Sequence, residues 1–81
     1  MKARVFVTLK TTVLDPHGQT VRAALNGLGY AAIAAVRQGK YFEIALAEGT
    51  TAEQAQRDVE AIAHEVLANP VIEEYRVELL D

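Results

Sequence analysis

The sequence predicts an α+β fold: a four-stranded antiparallel sheet, in the order 4-1-3-2, with two helices on one face. Three observations carry this. Apolar residues alternate with polar ones near both ends of the chain, at Val5, Val7 and Leu9 and again at Tyr75, Val77 and Leu79. Two inner stretches instead carry apolar residues at helical spacing, each opened by a capping signal. The resulting order, β-α-β-β-α-β, closes through two right-handed crossovers and one hairpin into the ferredoxin-like sandwich.

Each element follows from its residues. In the first strand Val5, Val7 and Leu9 alternate with Arg4, Phe6, Thr8 and Lys10. Thr11 to Asp15 form a turn. Asp15-Pro16 then starts a helix, because the carboxylate accepts from a first-turn N–H and Pro16 supplies a preset φ where no donor is needed. Val21, Ala24, Leu25 and Leu28 share one helical face, and Gly29 closes the helix. Ala31 to Arg37 is short and apolar and reads as a second strand. Gln38-Gly39 makes a hairpin turn into a third strand, Lys40 to Ala47, with Phe42, Ile44 and Leu46 on one face.

Glu48-Gly49 breaks that pattern. Thr50 with Glu53, and Thr51 with Gln54, have capping-box spacing. Ala55, Val59, Ile62, Val66 and Leu67 stripe a long second helix, which Asn69-Pro70 stops. Val71 to Leu80 is the last strand. No repeat or linker divides the chain, so residues 1–81 read as one domain.

Composition narrows the function classes. A chain of 81 residues buries only about 60% of its unfolded surface, so its core is thin. With 51% hydrophobic residues it should keep exposed apolar surface, and association is the natural remedy. A net charge of −3 disfavours nucleic acid as a partner, since phosphate binding needs a basic field. Without cysteine there is no disulfide, thiolate catalysis or thiolate metal site. The N-terminus runs straight into a strand pattern and no membrane-spanning run is visible, so a cytoplasmic protein is expected.

No catalytic set stands out. His17 and His64 lack His-x-x-x-His spacing, and both read as surface residues. Glu73 and Glu74 are adjacent on a strand and point to opposite faces, so they cannot share a proton. Gly27-x-Gly29 is a helix end, since a third glycine and a preceding strand are missing. The topology instead gathers three turns at one end of the sheet: Asp15-Pro16-His17-Gly18, Gln38-Gly39 and Asn69-Pro70, bordered by Lys10, Arg37 and Lys40. Arg37 and Lys40 either keep a hairpin soluble or dock an acidic partner or phosphate. By alternation the open sheet face shows Phe6, Thr8, Tyr41, Glu43, Ala45 and Arg76, which suits an interface.

Three segments resemble the PurS family, the small subunits of phosphoribosylformylglycinamidine (FGAM) synthase. They are Val13-Leu14-Asp15-Pro16-His17-Gly18-Gln19 with Val21 and Ala24-Leu25-x-x-Leu28-Gly29, then Val36-Arg37-Gln38-Gly39-Lys40, then Leu67-Ala68-Asn69-Pro70-Val71-Ile72-Glu73-x-Tyr75. The family more often has glutamine or glutamate at His17. The resemblance implies a bridging subunit without catalytic residues, cofactor or metal of its own. It joins a large ATP-dependent synthetase subunit to a glutaminase subunit, where ATP, Mg2+ and glutamine act. It also implies a homodimer or higher oligomer. On this basis Asp15, Pro16, Gly18, Gln19, Arg37, Lys40, Asn69 and Pro70 are candidate partner-docking residues, and Phe6 and Tyr41 candidate oligomer contacts.

Two other classes share the element order. An RNA-binding module would stack bases on Phe6 and Tyr41, but Gly39-Lys40-Tyr41-Phe42-Glu43 is a poor version of its motif and the chain is acidic. An ACT-like regulatory domain would bind an amino acid between two copies.

Overall fold

In the computed structural model, which describes residues 1–80, three strands and two helices follow one another. They are β1 (Lys2–Leu9), α1 (Pro16–Gly27), β2 (Gly39–Ala45), α2 (Ala52–Ile62) and β3 (Glu73–Leu80). The strands form one antiparallel sheet in the order β2-β1-β3. Val5 lies opposite Phe42 and Val77, and Phe6 lies opposite Tyr41 and Arg76. Pleat therefore sends Val5 and its row to one face and Phe6 and its row to the other.

The core sits under the first of these faces. Ala3, Val5 and Val7 from the central strand are fully buried against Val59, Ala63 and Ala68. Each buried valine contributes roughly 1.5–3 kcal/mol relative to exposure. Thr51 Oγ1 caps α2 by accepting from the Gln54 N–H at 3.1 Å, and Glu53 favours the first turn. α2 then passes into a π-helical turn, Ala63–Leu67, in which the Ala68 N–H donates to the Ala63 carbonyl at 2.9 Å. The wider turn delays the stripe by one residue. Leu67 becomes half-buried and Val66 turns to solvent, so the expected stripe through Val66 is corrected.

Two further expectations change. The second strand over Ala31–Arg37 does not form, so the sheet has three strands rather than four. Its apolar run contains alanine at 31, 32, 34 and 35, a residue with little side chain to pack on a pleated surface. The hairpin at Gln38-Gly39 is absent with it, and Gly39 simply opens β2. The three strands that do form keep the neighbours expected of strands three, one and four.

The second change concerns α1. It starts as expected, with Asp15 as cap and Pro16 at the first position, but it does not pack on the sheet. Ala24 is exposed, Leu28 is 75% exposed, and Gly18 is the only buried residue of the helix. The described chain extends 51 × 26 × 14 Å, with a radius of gyration of 16.1 Å. A compact chain of this length has a radius near 12 Å, so α1 and the segment after it form an arm. No helix among the described residues is long and apolar enough to cross a membrane.

Candidate functional site

The arm leaves the sheet after β1 and returns before β2, and Asp15 joins the two limbs. One carboxylate oxygen, Oδ1, accepts from the Gly18 N–H at 2.9 Å, and Oδ2 accepts from the Gln38 N–H at 2.9 Å. Asp15 is only 5% exposed. Its carboxyl is held below the ordinary value of 3.8, first by the Gln38 N–H, then by the Gly18 N–H, with Arg37 and His17 adding to them. Gly18 is required here, because a Cβ would collide with the Val36 carbonyl oxygen of the returning limb.

Arg37 ties the limbs in the other direction. Its Nη2 donates to the Leu9 carbonyl at 3.0 Å and the Lys10 carbonyl at 2.8 Å, and approaches the Val13 carbonyl at 3.5 Å. Lys40 is also engaged within the protomer. Its Nζ donates to the Leu67 carbonyl at 3.3 Å and pairs with Glu73 Oε2 at 3.5 Å, while its side chain stays 53% exposed. Glu73 Oε1 in turn accepts from the Asn69 N–H at 2.7 Å, and Asn69 Oδ1 accepts from the Val71 N–H at 3.1 Å. The end of β1 joins the same group, since the Lys10 N–H donates to the Ile72 carbonyl at 2.9 Å.

The three turns thus meet at one end of the sheet. A shallow cavity of about 200 Å³ between them is lined by Asp15, His17, Gln38, Gly39, Lys40 and Glu73, with Leu9 at its edge. Pro16 and Gln19 are exposed, and Gln19 faces a second cleft of about 410 Å³ with Thr11, Thr12 and Arg22. Asn69 and Pro70 are exposed at the turn before β3. Sequence reasoning missed Glu73 as the link between Lys40 and Asn69. The signal was its position, at the start of a strand beside the Asn69-Pro70 stop.

The open face of the sheet carries Phe6 and Tyr41 with ring centroids 5.2 Å apart. The Arg76 guanidinium stands 4.4 Å from the Phe6 centroid and pairs with Glu78 at 3.2 Å. Arg76 therefore covers the ring that an RNA-binding module would leave free for a base. His64 lies edge-on to Tyr75 at 6.2 Å, away from His17. Among the described residues no three of His, Cys, Asp or Glu converge to hold a metal ion.

The fold and the arm define a class, α+β protomers with a three-stranded antiparallel sheet and one helix standing off it. Comparison with known proteins is more specific. Residues 2–81 match the PurS family, described as phosphoribosylformylglycinamidine (FGAM) synthase. The Bacillus subtilis phosphoribosylformylglycinamidine synthase subunit PurS is 42% identical over 82 residues, covering 96% of this chain and 90% of that protein. Methanocaldococcus jannaschii PurS, a subunit of formylglycinamide ribonucleotide amidotransferase in the purine biosynthetic pathway, superposes with a TM-score of 0.84 at 38% identity, covering 95% of this chain and 92% of that one. A chain of the PurLQS assembly from Thermotoga maritima gives 0.87 at 32% identity, covering 98% and 95%. The chain belongs to the PurS family.

Proposed function

We propose that this chain is the non-catalytic bridging subunit of FGAM synthase in de novo purine biosynthesis. It holds an ATP-dependent synthetase subunit and a glutaminase subunit together so that ammonia passes from one to the other. ATP, Mg2+ and glutamine are handled by those partners. The observation that carries this reading is the whole-chain likeness to a protomer of a PurLQS assembly, in a family named for that synthase. A bridge contributes by positioning two sites, which shortens the path of a reactive intermediate through water.

The same reading includes a homodimer, and the protomer supplies its surfaces. α2 packs toward β3, and among the described residues no helix packs extensively on β2, whose Phe42 and Ile44 are half-buried together with Leu46 just beyond it. α1 and the residue that ends it carry an apolar stripe, with Val21 and Leu28 exposed and Leu25 half-buried. A helix of 12 residues is about 18 Å long and a strand of 7 about 23 Å, so one lies along the other. Two copies that exchange arms give each sheet a second helix, the two-helix cover of the ferredoxin-like sandwich, and the open edge of β2 gains a neighbour for its backbone. RNA binding and amino-acid sensing draw no support from the family placement.

The test is reconstitution with the two partner subunits of a PurLQS assembly. With this chain present, glutamine-dependent FGAM synthesis is expected at limiting subunit concentration. Omitting it should depress the glutamine-dependent rate more than the ammonium-dependent rate. Equal loss of both rates, or loss of neither, rejects a bridge. The purified chain alone should turn over neither ATP nor glutamine.

A further inference from the structure

We propose that Asp15 is the positioning residue of the arm: its carboxylate fixes the direction in which α1 leaves the sheet, and so selects the exchanged dimer over a protomer closed on itself. This rests on the exchanged-dimer reading above and adds the residue that controls it.

The arm is held at a neck of two limbs, and few bonds join them. From the outgoing limb Asp15 accepts both the Gly18 N–H, which begins α1, and the Gln38 N–H, which belongs to the returning limb. From the returning limb Arg37 donates to the Leu9 and Lys10 carbonyls. Gly18 lets the limbs touch at the Val36 carbonyl. A helix start does not require this much. Thr51 caps α2 with one hydroxyl and one bond, and nothing beyond α2 is tied to it. At Asp15 a single planar group satisfies two N–H donors 20 residues apart, so it sets an angle as well as capping a helix.

That angle matters because both candidate seats for α1 have the same chemistry. The apolar side of β2 is identical on the chain's own sheet and on a second copy's. Only the path through the neck distinguishes them, as in any exchange of an element between identical protomers. With the neck clamped, α1 projects away from its own sheet. With the neck loosened, it is free to swing back over Phe42 and Ile44.

Protonation of Asp15 is a second handle on the neck. The charged and titratable groups around it are His17, Arg37 and, across the cavity, Lys40 and Glu73, with Arg22 beyond Gln19. The folded carboxyl titrates below its ordinary 3.8. Its contribution is therefore present above the unfolded value and is lost as pH falls through the lowered folded one.

Sedimentation of the full chain across roughly 1–100 μM, with circular dichroism as fold control, tests this. Wild type is expected to be a dimer. Asp15→Ala should raise the dimer dissociation constant about tenfold and release a more compact monomer. Asp15→Asn keeps one acceptor and should fall between the two. Thr51→Ala removes an ordinary cap and should lower stability without moving the constant. Wild-type dimer should weaken as pH falls below the carboxylate's ordinary value, and Asp15→Asn should show a shallower dependence there. A folded Asp15→Ala dimer with the wild-type constant overturns the proposal and leaves the dimer intact. Should Asp15→Ala fail to fold, Asp15→Asn with a wild-type constant and pH profile overturns it equally. A wild-type chain that sediments as a monomer throughout removes the exchanged dimer itself, and the proposal with it.

Discussion

At the scale of single residues, Arg37 and Lys40 show how one charge in a short motif can serve different ends. Both border the same turn cluster by topology, and the family resemblance gives them equal standing as docking contacts. Arg37 spends its guanidinium on carbonyls at 3.0 and 2.8 Å, which no other side chain reaches among the bonds of the neck. Lys40 makes an exposed ion pair. Arg37→Ala is therefore expected to destabilise the protomer by about 1–2 kcal/mol, because charge-assisted bonds to two carbonyls are lost. Lys40→Ala should cost about 0.5 kcal/mol or less, as exposed pairs do. Urea unfolding of the two variants measures the difference. If Lys40→Ala costs as much as Arg37→Ala, Arg37 is no more structural than its neighbour. Lys40→Glu should cost more than Lys40→Ala in the same unfolding measurement, because the new carboxylate faces Glu73.

At the scale of elements, two amphipathic helices of similar length have opposite fates. Val59 of α2 is fully buried, and Leu28, just past α1, is 75% exposed. Leu28→Asp is accordingly expected to leave the protomer's unfolding free energy at high dilution within about 0.5 kcal/mol of wild type. The same change should weaken the dimer, since it places a carboxylate on the exchanged stripe. Val59→Asp should prevent folding outright, because an unpaired charge would be buried under the sheet. A Leu28→Asp dimer of wild-type strength would show that α1 is not the exchanged surface. β1, the caps of both helices and β3 were legible in the sequence because local chemistry decides them: alternation, Asp15-Pro16 and Thr51 act within a few residues. The strand over Ala31–Arg37 was not. Its four alanines leave the outcome to a strand alongside, and among the described residues of the protomer no strand pairs with it. The neck was legible in part. Topology brought Asp15 near Gln38, but the use of Arg37 depends on where the arm goes, which no periodicity encodes.

At the scale of the molecule, a radius of gyration of 16.1 Å is the departure that organises the others. Helical spacing says that Val21, Leu25 and Leu28 want an apolar seat. It cannot say whose sheet provides it. Chain identity can be read directly, because the sequence contains no cysteine and any introduced pair is unique. Ile44→Cys on β2 combined with Val21→Cys, Leu25→Cys or Leu28→Cys samples one stripe of α1 against the uncovered strand. A disulfide forms only where Cα atoms come within about 7 Å, so at least one of the three pairings is expected to close on mild oxidation. If arms are exchanged, the product runs as a covalent dimer on a non-reducing gel, and its yield does not fall on dilution of preformed dimer. If the arm folds back, the product is an internally bridged monomer that migrates faster than the reduced chain. Mixing tagged and untagged copies before oxidation adds a tagged–untagged species in the first case alone. A bridged monomer from all closing pairs would place α1 on its own sheet and return the protomer to the closed sandwich. A covalent dimer makes the two-helix cover a property of the pair, and the turn cluster at the neck then appears twice on one particle. Such a particle presents two equivalent docking ends, which is the symmetry a bridge between subunits can use.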